Sequence, residues 1–169
     1  MEKTIRSQDR PYTRNEEIFN AISHGLGSLL GVVGTSVMVT VSALLYNGRA
    51  VAASIIYGFS LILMFTMSTL YHAIPFPRVK RVFQILDHDS IYFLIAGTYT
   101  SLTFVLPQAS PRGLVLFAVA WGAAILGTVL TANNTARFRR AGPQRYMLMW
   151  WDVHVEMRAV VDAVGFRVT

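Results

Sequence analysis

Residues 51–77 read VAASIIYGFSLILMFTMSTLYHAIPFP, a run without a single Asp, Glu, Lys or Arg. As a helix it exceeds the roughly 20 residues needed to cross the hydrocarbon of a bilayer. It closes on Pro75 and Pro77, which lack the amide hydrogen that would carry a helix further. Outward from this run, Ile22 to Leu45 and Gly113 to Asn134 are equally free of charge. Phe83 to Leu106 holds only Asp87 and Asp89, both near its start. A soluble domain of 169 residues has too little interior to hide four such segments. The expected fold class is all-α, a polytopic transmembrane helix bundle with four complete spans. Tyr146-Met-Leu-Met-Trp-Trp151 begins a partial fifth.

Composition agrees, with 53% hydrophobic and only 14% charged residues. The net charge of +6 would fit a nucleic-acid partner if it were gathered in a patch interleaved with aromatics, but it is not. Lys3, Arg6, Arg10 and Arg14 precede the first span, Arg49 follows it, and Arg78, Lys80 and Arg81 follow the second. Arg112 lies after the third span, and Arg137, Arg139, Arg140 and Arg145 after the fourth. This alternation between rich and poor turns is the positive-inside pattern, and it puts the N-terminus and the even-numbered turns in the cytoplasm. The expected location is the plasma membrane, multi-pass, with membrane lipid as the partner and no nucleic acid. The first span is too long, and preceded by too many polar residues, for a cleaved signal peptide. Cysteine is absent, which excludes disulfides and thiolate chemistry.

The chain divides into three regions: a basic cytoplasmic tail over 1–15, the helix bundle over 16–151, and a charged tail over 152–169. A short amphipathic lead-in, Asn15 to Asn20, runs into the first span. Gly27 and Gly31 form a small-xxx-small pair that allows a neighbouring backbone close. Tyr46-Asn-Gly-Arg49 reads as a tight turn, and Pro107 and Pro111 bracket the next outer one. The hydroxyls of Thr98, Tyr99, Thr100, Ser101 and Thr103 read as packing groups, bonded back to the backbone or across to a neighbour. After Trp151, charges at Asp152, His154, Glu156, Arg158 and Asp162 argue against a fifth full crossing. An amphipathic helix along the interface is the expectation there.

Ionisable groups inside apolar spans are costly to keep there, and so mark sites. Ser68 and His72 are four apart and share one helix face. Asp87 and His88 arrive at the start of the next span, which the short turn holds antiparallel and adjacent. An imidazole and a carboxylate at one depth can bind zinc, tie helices together, or pass a proton or ion. Glu17, Asn20, Ser23 and His24 enter the membrane at a similar depth. They read either as a network orienting that site or as a helix cap with packing residues.

Together these motifs resemble the hemolysin III family, the bacterial branch of the progestin and adipoQ receptor family. Glu17-Ile-Phe-Asn20-Ala-Ile-Ser23-His24-Gly-Leu-Gly27 is similar to its first signature, E-x-x-N-x-x-[ST]-H-x-x-G. Ser68-x-x-x-His72 is similar to the second, and Leu86-Asp87-His88 through Ala96-Gly97-Thr98-Tyr99-Thr100 to the third. The likeness covers roughly residues 15 to 150. It implies a seven-helix membrane protein with an intramembrane zinc site, His72 a ligand, Asp87 holding a metal-bound water and Ser68 part of the same site. Glu17, Asn20, His24 and His88 would stand behind them. Kinship with membrane-embedded ceramidases implies hydrolysis of a lipid amide. The hemolysin label implies cytolysis by some members, hence a membrane-perturbing or receptor-like alternative.

One departure matters. The family's last span carries an H-x-x-x-H pair, two further zinc ligands, and this chain has none. The expectation is therefore a truncated or frameshifted product, with 152–169 out of frame. It would bind zinc poorly, be inactive as an enzyme, and self-associate through spans that lack partners. Substitution by His88 or His154 is not expected, because a zinc site needs three or four well-placed ligands.

Overall fold

The computed structural model describes residues 12–105 and 111–133. They form four helices: α1 over Arg14–Leu45, α2 over Gly48–Ala73, α3 over Pro77–Val105 and α4 over Pro111–Asn133. These occupy the four apolar segments, and each packs on the next in chain order, α1 on α2, α2 on α3, α3 on α4. The all-helical membrane bundle is thus what the chain builds. Among the described residues, α1 and α2 are the helices both long and apolar enough to cross a bilayer, and Phe117–Val129 of α4 is a shorter apolar stretch. The partial fifth span, the 152–169 tail and the Asp152, His154 and Glu156 group lie outside the described residues.

Local chemistry sets the helix ends. Thr13 caps α1 in a capping box, its hydroxyl accepting from the Glu16 amide while the Glu16 carboxylate accepts from the Thr13 amide at 2.6 Å. The lead-in is therefore continuous with the span. The 32 residues of α1 rise about 48 Å, well beyond a hydrocarbon core of about 30 Å. Asn47 caps α2, its side chain accepting from the amides of Arg49 and Ala50, so only Tyr46 and Asn47 separate the helices. α2 stops at Ala73, before Pro75. Pro77 then opens α3 at a position where its missing amide hydrogen costs nothing. The basic stretch Arg78 to Arg81, expected as a turn, is instead the first turn of α3.

The seam between α1 and α2 carries both the small residues and the polar pairs. A methyl group at Gly27 would sit 2.7 Å from the Phe65 ring, and one at Gly31 3.3 Å from Ile62. Gly58 of α2 receives Thr35 in the same way. Along the same seam, Ser28 bonds Thr66 at 2.8 Å and Ser42 bonds Ser54 at 2.8 Å. In lipid, where apolar burial does not separate helix from tail, such close packing and hydrogen bonds drive association. The opposite face of α1 is apolar and exposed, through Phe19, Leu26, Leu30, Val33 and Leu44.

Between α3 and α4, Tyr92, Ala96 and Ala124 form a small buried cluster with Trp121 against it. Thr98, Thr100 and Ser101 donate to the carbonyls of Leu94, Ala96 and Gly97, as expected of packing hydroxyls. Thr100 also accepts from the Trp121 indole at 3.0 Å.

Candidate functional site

At the end of the bundle that holds the start of α1, the seam turns from small hydroxyls to ionisable groups. Glu17 and His24 are seven apart on α1 and lie on one face; His72 and Ser68 are four apart on α2. Antiparallel packing sets Glu17 against His72 and His24 against Ser68. His72 Nδ1 lies 2.9 Å from Glu17 Oε2, and His24 Nδ1 lies 2.5 Å from Ser68 Oγ. The two imidazoles stand edge to face with centroids 6.0 Å apart.

Burial sharpens this geometry. Ser68 and His72 are buried, 3% and 9% exposed, so the bonds they make are not exchanged for water. A carboxylate has no proton to give, so the His72–Glu17 contact is an Nδ1–H donating to Glu17. The Nε2 atom of His72 is then the ring position left for a ligand. The Ser68 hydroxyl can donate to His24 or accept from it, and the ring tautomer depends on that choice. Tyr71 and Tyr12 flank His72, with centroids 4.6 and 5.2 Å from its ring.

Two residues that the sequence reading did not place in the site complete the cluster. Lys80, counted there among the topology-setting charges, donates from Nζ to Glu17 Oε2 at 2.8 Å and to the Tyr71 carbonyl at 2.9 Å. Tyr71 stacks under that ammonium at 4.9 Å and accepts from Gln84 at its hydroxyl. The sequence shows only that the Tyr71 carbonyl needs a partner, not which: Pro75, four residues on, removes the amide that would otherwise serve it.

The other expected site residues are placed less tightly. Asp87 is half-buried on α3, close enough to the Tyr71 phenol to act on it electrostatically, and its backbone carbonyl accepts from Ser90. It is Asp89 rather than Asp87 that is buried, 4% exposed, beside Ser90. His88 is half-buried one residue on. The Asn20 carbonyl accepts from Ser23, and Asn20 lines an open groove with Tyr12, Asn15, Glu16 and Phe19. Outside the membrane segment, the Glu16 carboxyl is held below its usual range, first by the Thr13 amide and then by the Thr13 hydroxyl.

The donor chemistry can be tested against zinc, which takes three or four nitrogen, oxygen or sulfur ligands. Among the described residues, no group of three His, Asp or Glu is placed to hold a metal. The described residues therefore do not fit a closed zinc site.

The family model described as Haemolysin-III related matches residues 12–165, running beyond Trp151. The chain is 36% identical over 147 residues to Hemolysin-3 of Bacillus cereus, covering 87% of this chain and 67% of that protein. It is 35% identical over 159 residues to the Hemolysin-3 homolog of Bacillus subtilis (strain 168), covering 92% of this chain and 74% of that protein. No solved structure matches the chain. With a family match across most of its length and relatives above one-third identity, this helical membrane chain belongs to the hemolysin III family.

Proposed function

We propose that this protein, against the inactivity expected from its missing H-x-x-x-H pair, acts on membrane lipid as an embedded hydrolase of the lipid-amide class, through Ser68, Asp87 and the histidines between α1 and α2. The orientation proposed with it places the N-terminus and the cluster on the cytoplasmic side of the plasma membrane, in keeping with the basic turns. The observation that carries the reading is the meeting of His24, Ser68, His72 and Glu17 at one end of a seam that is otherwise lined by small hydroxyls and glycines. Packing alone needs no ionisable groups there, and they are expensive to keep.

Hydrolysis asks for an acceptor for the proton of the attacking water and a donor for the acyl oxygen. The Asp87 carboxylate is the acceptor in this reading. When His24 Nδ1–H donates to Ser68, the Ser68 proton is free to bond the acyl oxygen. Water then adds to the acyl carbon, the carbon–nitrogen bond breaks, and the amine leaves with the proton. Zinc on His72 is the metal that family kinship implies. It would need donors other than those described, and no step above runs through it.

The test is amine release from an N-acyl lipid by purified protein in bilayer nanodiscs, alongside His72→Ala and Ser68→Ala. Release by the parent that either substitution lowers at least tenfold supports the reading. Release unchanged by both substitutions, or none from the parent, overturns it.

One observation favours a second reading. The exposed apolar face of α1 offers a surface for self-association, and the relatives are named hemolysins. Dye leakage from liposomes that persists in His72→Ala would support a membrane-perturbing role instead.

A further inference from the structure

The α2 helix ends with a carbonyl that its own backbone cannot satisfy. In an α-helix the carbonyl of residue 71 accepts from the amide of residue 75, and residue 75 is proline. The neighbouring Leu70 carbonyl is served normally, by the Ile74 amide at 3.1 Å. Tyr71 is buried, so water is a poor substitute. Lys80 Nζ takes the place of the missing amide from the first turn of α3, at 2.9 Å.

That placement has a second effect. The same ammonium lies 2.8 Å from Glu17 Oε2, the oxygen that accepts from His72 Nδ1. One cation therefore joins α1, the end of α2 and the start of α3 around a single carboxylate oxygen. An ammonium has three donors and no acceptor, so it can bridge both partners at once. Its ring contact with Tyr71 limits where the head can go. Glu17 could otherwise rotate about its side-chain torsions; held by Lys80, it stays on the Nδ1 edge of His72.

We propose that Lys80 is the positioning residue of this cluster: by bridging Glu17 and the Tyr71 carbonyl it locks Glu17 onto His72 Nδ1, and so fixes Nε2 as the nitrogen that His72 presents to a ligand. The functional part of this inference rests on the hydrolase reading above; the positional part does not. Lys80 acts through Glu17 and touches no ligand. A residue counted as a topology charge thereby becomes part of the site, with the Pro75 break in α2 as the reason it points inward.

The experiment is nitrogen-15 NMR of the His72 ring in nanodiscs, well above the ordinary histidine pKa of about 6.5. The parent is compared with Lys80→Met, which keeps the stem against Tyr71, and with Lys80→Arg, which keeps the charge. The expected result is one tautomer in the parent, with hydrogen on Nδ1 and none on Nε2. Lys80→Met should lose that single pattern, and Lys80→Arg should restore most of it. A parent ring with hydrogen on Nε2 overturns the proposal without any variant, so poor folding of Lys80→Met leaves it testable. An unchanged pattern in folded Lys80→Met also overturns it. Amine release separates the two levels: a ring pattern lost in Lys80→Met, with turnover unaffected by Lys80→Met, His72→Ala or Ser68→Ala, supports the positioning and sinks the hydrolase reading.

Discussion

Glu17 of α1 accepts from His72 of α2 at 2.9 Å, across 55 residues of chain, and that bond joins the helices at the end where both carry ionisable groups. Glu17 is 18% exposed and Lys80 25%, so the network is shielded but not sealed. Removing the shared acceptor should be felt at both donors. Glu17→Ala is expected to cost about 1.5–3 kcal/mol, the range for hydrogen bonds to charged groups. Glu17→Gln keeps an acceptor oxygen and should cost less. Thermal unfolding in detergent checks this, and equal losses in the two variants would count against the network.

The seam makes a steric prediction with an internal control. A side chain at Gly58 collides with Thr35, so Gly58→Val should destabilise the α1–α2 hairpin by about 1–3 kcal/mol, as overpacked sites do. Nothing lies within 4 Å of an added methyl at Gly34. Gly34→Ala should therefore be neutral or mildly stabilising, since alanine favours helix over glycine. Comparing the two by thermal unfolding separates close approach from mere loss of glycine.

Ser28 and Thr66 share one hydrogen bond of 2.8 Å between spans. A double-mutant cycle with Ser28→Ala and Thr66→Ala should give a coupling of about 0.6 kcal/mol, the average for such bonds in a membrane. A coupling indistinguishable from zero would mean that the pair is adjacent but contributes nothing.

Acid should loosen the first turn of α1. The Glu16 carboxyl titrates below its usual value because the Thr13 amide and hydroxyl bond its charged form. A lowered folded value means that the charged form stabilises the fold. The capping contribution is complete above the ordinary glutamate pKa and is lost as pH falls through the lowered folded value. Amide hydrogen exchange at residues 14–17 should show fraying over that window, and Glu16→Gln should remove most of the pH dependence.

Much of this architecture is legible in charge-free runs and prolines. Three uncharged segments and one holding only two aspartates became four helices, and Tyr46-Asn47 became a two-residue connection because the Asn47 side chain caps the start of α2. The start of α1 was legible in outline through its amphipathic lead-in, and the Thr13–Glu16 box explains why helix and lead-in are one. The basic stretch after Pro77 was not, because a lysine near a membrane edge looks the same in sequence whether it faces lipid or turns inward. Only the three-dimensional meeting of Tyr71, Glu17 and Lys80 shows which. Within the site, Ser68 with His72 and Glu17 with His24 could be picked out by helical spacing. Their cross-pairing depends on the register between α1 and α2, which periodicity within one helix does not encode.

The register between α1 and α2 is the central claim, since the whole cluster depends on it. The chain has no cysteine, so introduced pairs report cleanly. Ser28→Cys with Thr66→Cys should form a disulfide on mild oxidation in the membrane, because the two side chains already meet at 2.8 Å. Val33 faces away from the seam, 61% exposed, so Val33→Cys with Thr66→Cys should not. Cross-linking of the second pair in place of the first would contradict the packing and dissolve the site built on it.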